Sequence, residues 1–520
     1  MSDFEDQPKK TSRGKFPLPI LWIVSTLLIC AVFALATVPR ADAQGSGQAE
    51  DGQYVQSFSG QGSGLNARAQ NARKYTSIMQ NVFDFIQRHY VEEVDPQVIF
   101  EGAMTGMFNA LGDPYSNFLP ETEMTDLNDT TQGNFGGVGL YISKPVGEQP
   151  NGKPAYVEVA SPIEDTPGWR AGISPGDLIV EIDGESTEKL TMDEVLARLR
   201  GVPGVDVNLL IRRGEKLEFP VTLTRAIIEV PTAKYAMIGD TGYLKLITFT
   251  PMTADRARDA IKEFKSKNYK SLILDLRNNY GGLLNSAVDI SSLFLDDGVV
   301  VSTKSRLPGE NHVFNARKTA AVGQEIPVIV LINQGSASAS EIVAGALKDR
   351  GRAYLVGEKS YGKGSVQKVY PLDNAGFKIT VARYYTPSDV NIDKIGIPPD
   401  REIKFPEITE ADMEKLNTLI NSNKIPGFIK ENPSASSTAI NAFARTLSEE
   451  YKLDISLLRR LIRNEQNRTT IAPVYDLEYD VQLQEAVNIL KGGNFNSLME
   501  TSKTLKALQE EASKDLPLAS

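Results

Sequence analysis

The chain has very few of the residues on which common catalytic and binding sites depend. Its 520 residues include two histidines and one cysteine, Cys30, and show no metal-ligand spacing or phosphate-binding loop. A single cysteine excludes an intrachain disulfide, and we expect no cofactor. The formal charge is −10, and no long basic run follows the first 15 residues, which argues against a nucleic-acid partner.

The shortage of histidine limits the ways in which a serine nucleophile could be activated. His89 lies in a segment with helical spacing and His312 in a polar loop, so neither has the Gly-rich strand–turn setting of a catalytic base. A neutral lysine can replace histidine, but an unperturbed pKa of about 10.4 leaves on the order of 0.1 % neutral at pH 7.4. Burial can lower a lysine pKa by several units. A serine enzyme of this composition therefore needs a buried lysine.

Residues 328–367 have the pattern from which such a site could be built. The apolar run VIVLI predicts a buried strand, and Ser336 to Leu347 predicts a helix. A second apolar strand, AYLVG, precedes Lys363, which is flanked by two glycines. The strand–turn–helix order places small hydroxyls at a helix N-terminus, where free backbone N–H groups suit a developing oxyanion. A lysine between glycines is, by itself, more often a surface residue.

Two motifs in this stretch, GSASASEIVAGAL and GEKSYGKGSVQ, resemble those of the carboxyl-terminal processing proteases, which are PDZ-containing Ser-Lys dyad peptidases of the bacterial envelope and the chloroplast lumen. The resemblance implies that Ser338 is the nucleophile, Lys363 the base and Gln367 a residue that orients the base. In an extended strand Lys363 and Gln367 would lie about 13 Å apart. Direct contact therefore needs a bend, which Gly364 permits.

A second resemblance concerns the oxyanion hole. The segment LDLRNNYGG is similar to a motif of the same family in which one glycine donates its N–H to the oxyanion. The resemblance implies that Ala339 and either Gly281 or Gly282 are the two donors. Tyr280 stands where the family usually has proline or glycine, and its bulk could shift the loop. Two adjacent glycines that merely turn the chain are the alternative.

A Gly-rich segment after Thr131 introduces a different kind of module. The sequence AGISPGDLIVEIDGES resembles the core of a PDZ domain, a module that binds an extended peptide as an added strand. The resemblance implies that a substrate C-terminus binds the loop formed by Gly137, Val138, Gly139 and Leu140. Glycines there would let backbone amides approach the carboxylate. An ordinary Gly-rich hairpin is the alternative.

The N-terminus has the features of a targeting segment. Basic residues precede an apolar run over residues 16–38, and Ala41-Asp42-Ala43 matches a small-x-small cleavage site. The run is long enough to cross a bilayer, so a cleaved signal peptide and an uncleaved inner-membrane anchor both remain open. Either one predicts that the body of the protein lies in the periplasm.

The resemblance implies a multidomain α/β fold with a crotonase/ClpP-like βα spiral catalytic core, an inserted PDZ domain and helical terminal regions. The predicted divisions are a signal peptide or membrane anchor (1–43), a flexible linker (44–70), an N-terminal helical region (71–128), the PDZ domain (129–228), the catalytic core (229–405) and a C-terminal helical region (406–520). In the N-terminal region, the sequence DPYSNFL is interpreted as scaffold rather than site.

The functional hypothesis is an exported, ATP-independent serine endopeptidase that recognises protein C-terminal tails and cleaves through an acyl-enzyme. Its expected partners are proteins with exposed apolar C-termini, the membrane if the N-terminal segment is uncleaved, and further copies of the same chain. One alternative is a non-catalytic PDZ adaptor, against which intact Ser338 and Lys363 argue. The other is a crotonase-like acyl-CoA enzyme, against which the PDZ segment and the export signal argue.

Overall fold

The computed structural model describes residues 63–132, 134–144, 155–214, 217–404, 409–469 and 473–514. The predicted targeting segment and most of the predicted linker lie outside these residues. Within the described part of the chain, no helix is both long enough and apolar enough to cross a bilayer.

The N-terminal region consists of α1 (Ser63–His89), α2 (Pro96–Asn109), β1 (Asn117–Leu119) and α3 (Glu121–Gln132). Because α1 begins at Ser63, residues 63–70 are helical, which corrects the prediction of a linker over 44–70. The helices are joined to the rest of the protein through β1, which pairs with a strand of the catalytic core. Several large apolar side chains at helical spacing on α1 are exposed, namely Tyr75, Ile78, Met79, Val82 and Phe85.

The next region folds around a strongly twisted antiparallel sheet. Its elements are β2 (Asn134–Gly137), β3 (Leu140–Ser143), β4 (Val157–Pro162), α4 (Pro167–Arg170), β5 (Leu178–Ile182), β6 (Glu185–Ser186), α5 (Met192–Leu199), β7 (Asp206–Arg213), β8 (Leu217–Thr224) and β9 (Ala226–Glu229). The sheet order is β3-β4-β5-β7-β8, and β6 pairs with β5. Alternate residues of β7 are buried, as period-two patterning predicts: Val207, Leu209 and Ile211. The separate pair β2–β9 closes the region where the chain enters and leaves it.

The catalytic core contains two sheets and three helices of eight or more residues. Its elements are β10 (Ala233–Ile238), β11 (Thr241–Leu246), α6 (Thr253–Ser266), β12 (Ser271–Asp275), α7 (Leu284–Ser291), β13 (Val299–Lys304), β14 (His312–Asn315), β15 (Val328–Ile332), α8 (Ala339–Asp349), β16 (Tyr354–Gly357), β17 (Ser365–Leu372), β18 (Ala375–Tyr385) and β19 (Arg401–Glu402). One sheet has the order β10-β11-β12-β15-β16-β19 and is parallel except for β10. The other has the order β1-β18-β13-β14, with β17 paired to β18.

The parallel sheet determines where the functional loops meet. Every residue of β12 and β15 is buried, because these strands are covered on both faces and read as continuous apolar runs. Since the two strands are parallel neighbours, the loops that follow Asp275 and Ile332 leave the sheet at the same edge. The Leu276 N–H donates to the Leu331 carbonyl there, 2.9 Å away, which continues the pairing into the loops.

The C-terminal region is helical, as predicted, in its described parts. Its helices are α9 (Glu410–Asn421), α10 (Lys424–Glu431), α11 (Ser437–Tyr451), α12 (Ile455–Thr469), α13 (Val481–Lys491), α14 (Phe495–Thr501) and α15 (Leu505–Lys514). Apolar residues of α13 pack on the sheet face formed by β15 and β16. Beside this contact the buried Arg277 guanidinium forms ion pairs with Asp275 and Asp480, at 2.7 and 2.6 Å. The region is thus tied to the loop that follows β12.

Candidate active site

Ser338 occupies a strained turn between β15 and α8. Its backbone has φ of +56° and ψ of −114°, a combination that non-glycine residues rarely adopt. Strain of this kind persists where the surrounding structure enforces it, often at active sites. The side chain is fully buried, and its Oγ has no hydrogen-bond partner in the described part of the chain. Because the turn is not helical, α8 begins at Ala339, and the predicted helix start at Ser336 is wrong.

The turn is held in place by the loop that follows β12. The Ser336 hydroxyl donates to the Leu276 carbonyl at 2.8 Å, and the Ser340 hydroxyl donates to the Asn279 carbonyl at 2.7 Å. The Ala337 N–H also donates to the Asn279 carbonyl, at 3.1 Å. The two serines on either side of Ser338 therefore fasten the turn to the LRNNYGG loop. This explains why small hydroxyl residues alternate with alanine in GSASAS.

Lys363 lies on the loop between β16 and β17 and is 5 % exposed. Burial lowers the pKa of its ammonium to about 8, although the negative charges of Glu341 and Asp113 oppose the shift. Its Nζ lies 4.8 Å from the centre of the Tyr115 ring. The buried position that the sequence required of a catalytic lysine is therefore present.

A buried carboxylate joins the serine turn to the lysine loop. Glu341 Oε2 accepts hydrogen bonds from the N–H groups of Ser338, at 2.9 Å, and Lys363, at 2.8 Å. Its Oε1 accepts from the Gly362 N–H at 2.7 Å and the Ser360 hydroxyl at 2.6 Å. Burial raises the pKa of Glu341, and these four bonds oppose the shift. All four partners are donors, so the ionised form satisfies each of them.

Gln367 is buried in the site, but its carboxamide does not contact Lys363 by a hydrogen bond. A β-bulge between Val366 and Gln367 bends the start of β17. The Gln367 Nε2 donates to Ser365 Oγ at 2.9 Å and to Thr380 Oγ1 at 3.1 Å. Its Oε1 has no hydrogen-bond partner among the described residues. Two buried oxygens, Ser338 Oγ and Gln367 Oε1, thus lie in this site without a donor or acceptor.

The DPYS turn, interpreted from the sequence as scaffold, lies against the site. The Asp113 carboxylate accepts hydrogen bonds from the hydroxyls of Ser116 and Thr380, both at 2.6 Å. A second buried lysine, Lys378 on β18, also lies here, and burial together with the charge of Lys363 lowers its pKa to about 8. Sequence reasoning missed Glu341, Asp113 and Lys378 as site residues. The position of Glu341, three residues after the serine at the start of a helix, was the available signal.

The two candidate oxyanion glycines differ in their surroundings. Gly281 lies against the serine turn, because a Cβ on it would come within 2.9 Å of Ser338 Cβ and the Ala339 nitrogen. Its N–H, however, donates to Asn279 Oδ1 at 2.9 Å. In the described structure no hydrogen bond engages the N–H groups of Gly282 and Ala339. Gly282 has the free donor, and Gly281 could serve only after leaving Asn279.

The predicted carboxylate-binding loop lies at the junction of β2 and β3. Val138 contributes its side chain to the core of the antiparallel sheet region, and Gly139 has φ of +75°. The Gly139 carbonyl accepts from the Ile163 N–H at 2.9 Å and the Thr166 hydroxyl at 3.1 Å. In the described chain, the N–H groups of Val138 and Gly139 are engaged by no hydrogen bond. They are therefore the amides available to an incoming anion.

Three family models match separate parts of the chain. Residues 240–403 match peptidase family S41, residues 158–213 match a PDZ domain, and residues 43–122 match the N-terminal domain of the activating protease CtpB. The fold and these matches define a serine peptidase of family S41 that carries a PDZ domain. The predicted multidomain α/β class is confirmed.

Individual relatives narrow the class. The carboxy-terminal-processing protease of Bartonella bacilliformis is 40 % identical over 343 residues, which are 65 % of this chain and 77 % of that protein. The carboxyl-terminal-processing protease of Synechocystis is 38 % identical over 320 residues, or 60 % of this chain and 72 % of the relative. A solved photosystem II D1 C-terminal processing protease is 30 % identical and matches 64 % of this chain and 94 % of its own, with a TM-score of 0.38. The chain belongs to the carboxy-terminal processing protease family, and neither the adaptor nor the acyl-CoA alternative is favoured.

Proposed function

We propose that the protein is an ATP-independent endopeptidase in which Ser338 is the nucleophile and Lys363 is the general base. The observation that carries this proposal is the bridge made by Glu341, whose Oε2 accepts from the N–H groups of both residues. A single buried carboxylate thus places the strained serine beside the buried lysine. The paired alanine substitutions described in the Discussion test the assignment.

The lowered pKa of Lys363 makes it usable as a base near neutral pH. With a pKa of about 8, about a fifth of the lysine is neutral at pH 7.4. Neutral Nζ accepts the Ser338 proton as Oγ attacks the peptide carbonyl, and the resulting ammonium then protonates the leaving amine. Water attacks the acyl-enzyme in the same way and releases the new C-terminus. The Gln367 oxygen is the acceptor that orients the lysine during these transfers.

The oxyanion of each tetrahedral intermediate needs two hydrogen-bond donors. We assign one to the N–H of Ala339, which begins α8 and has the positive end of the helix dipole behind it. The second is the N–H of Gly282, which is free, or of Gly281, which lies closer to the serine turn. Ser340 and Asn279 hold these two segments together, so both donors belong to one rigid unit.

Substrates are captured, in this proposal, by their C-terminal carboxylate at the loop of Gly137, Val138, Gly139 and Leu140. Charge-assisted hydrogen bonds of this kind contribute about 1.5–3 kcal/mol each. An amidated C-terminus brings N–H donors toward N–H donors. We therefore expect amidation of a long substrate to lower kcat/KM by about tenfold or more, since 1.4 kcal/mol is tenfold.

A short peptide that reaches only Ser338 is the control, and amidation should change its cleavage little. Equal cleavage of long amidated and free-acid substrates would refute carboxylate capture. The experiment varies the substrate because Gly139→Val is not a clean variant. A Cβ at Gly139 would lie 2.2 Å from the Thr166 side chain, so the substitution would disturb the domain itself.

Export is part of the same proposal and is supported by the basic flank, the apolar run over residues 16–38 and the Ala41-Asp42-Ala43 site. In cells stripped of the outer membrane, we expect added protease to digest the body of the chain together with a known periplasmic marker. Protection of the chain under conditions that digest the marker would contradict export. N-terminal sequencing of the mature protein would distinguish cleavage near Ala43 from an uncleaved anchor.

Two further partners stay predictions. Membrane attachment depends on whether residues 16–38 are retained. Self-association is supported by the exposed apolar side chains on α1, such as Val82 and Phe85, which are 52 and 64 % exposed. An exposed apolar surface of this kind is typical of a contact surface.

A further inference from the structure

A chain of hydrogen bonds runs from the DPYS turn to Gln367. The Thr380 hydroxyl donates to Asp113 Oδ2 at 2.6 Å, and Gln367 Nε2 donates to Thr380 Oγ1 at 3.1 Å. Thr380 and Gln367 are direct partners in the β17–β18 ladder, so their side chains lie on the same face of the sheet. The turn itself is fixed on β18, because the Thr380 N–H donates to Ser116 Oγ at 3.0 Å.

The chemistry of these groups sets the direction of the chain. An ionised carboxylate only accepts hydrogen bonds, so the single hydroxyl proton of Thr380 is committed to Asp113. Toward Gln367 the Thr380 oxygen can then only accept, which requires the NH₂ end of the carboxamide on that side. Hydrogen bonds from Ser116, Thr380 and Tyr115 and the charge of Lys363 outweigh the effect of burial and lower the pKa of Asp113. Asp113 therefore stays ionised at neutral pH.

We infer that Asp113 and Thr380 are positioning residues, which hold the Gln367 carboxamide with its oxygen free to accept from Lys363. The inference rests on the proposed function, in which Lys363 is the base and Gln367 orients it. Its supporting observation is that Gln367 Oε1 is buried and has no hydrogen-bond partner among the described residues, whereas Nε2 has two. With the carboxamide reversed, NH₂ would face the lysine and bind the lone pair that must accept the Ser338 proton.

The inference gives the N-terminal region a role in catalysis at a distance. Asp113 precedes β1, and no other acidic side chain of that region hydrogen-bonds Thr380 in the described structure. The other charges that act on this lysine pair are those of Glu341 on α8 and Glu123 on α3. Removing the negative charge of Asp113 would lower the Lys363 pKa and enlarge its neutral fraction. Loss of charge and loss of orientation thus change activity at neutral pH in opposite directions.

The test reverses the chain and measures kcat at its high-pH plateau, where Lys363 is neutral. Asp113→Asn presents NH₂ to Thr380, which must then donate to Gln367 and turn the carboxamide. Gln367→Glu places an acceptor against a hydroxyl already committed to Asp113. Each single variant should lose on the order of tenfold, the effect of one hydrogen bond. The double variant has a consistent chain in the opposite direction, with an oxygen still facing Lys363, and should recover to within a few-fold of wild type.

Losses that multiply in the double variant, or a wild-type plateau in Asp113→Asn, would overturn the inference. If Asp113→Asn does not fold, Thr380→Val and Thr380→Ser replace it. Only the valine variant should lose activity, and equal loss in both would also overturn the inference. Asp95→Asn, which alters an exposed helix cap of the same region, is the matched control. Ser338→Ala assayed in parallel separates the two proposals, since activity in that variant would refute the dyad itself.

Discussion

Ser338→Ala and Lys363→Ala should each abolish peptide cleavage while leaving the protein folded. Removing a nucleophile or its base typically costs several orders of magnitude in kcat. The two losses should not add, because neither residue works without the other. Cleavage of a protein with an apolar C-terminal tail measures the effect, and thermal unfolding shows that each variant is folded.

The histidines supply the control for this prediction. His89 lies on α1 and His312 on β14, both are exposed, and their ring contacts are with Phe85 and Phe314. His89→Ala and His312→Ala should therefore retain turnover, and inactivation by either one in a folded protein would contradict the Ser-Lys assignment. In the wild type, kcat/KM should rise as pH increases through about 8, because only the neutral form of Lys363 accepts a proton.

The parts of the fold that could be predicted from the sequence are those with a continuous local pattern. The run VIVLI became β15, TADRARDAIKEFKS became α6, and the alternation in DVNLLIRR became β7. The three-residue strand β1 could not be predicted, because its partners Gly376 to Lys378 lie far along the chain. The helix start at Ser336 was wrong for a different reason. The Ser336 and Ser340 hydroxyls bind carbonyls of another loop, and that tertiary contact prevails over helix propensity.

The candidate site divides in the same way. Ser338 and Lys363 stand in motifs whose content is visible in the sequence, and the structure places both in one buried region. Asp113 could not be predicted because its role depends on β18 and on Thr380, which are brought to it only by the β1–β18 pairing. The oxyanion glycine is not settled by spacing either, since Gly281 and Gly282 are adjacent and differ only in what surrounds them.

Glu341→Gln is expected to have the next largest effect after loss of the dyad itself. In the wild type each carboxylate oxygen accepts two hydrogen bonds, one pair from Ser338 and Lys363 and the other from Ser360 and Gly362. Glutamine replaces one of these oxygens with NH₂, so two donors in a buried site face another donor. Hydrogen bonds to a charged group contribute about 1.5–3 kcal/mol each, and a buried donor left unpaired adds a cost of similar size.

Part of that cost should appear as lost stability and part as lost positioning of the dyad. We expect kcat to fall by about a hundredfold or more, the equivalent of two such bonds, with a lower unfolding temperature. The lost charge acts in the opposite direction on the base. The negative charge of Glu341 raises the pKa of Lys363, so its removal should move the acid limb of the pH profile to lower pH. Reduced kcat at the plateau together with this shift would separate positioning from charge. Glu402→Gln, on an exposed carboxylate of the same core, should change neither quantity, and wild-type kcat in Glu341→Gln would show that the bridge does not position the dyad.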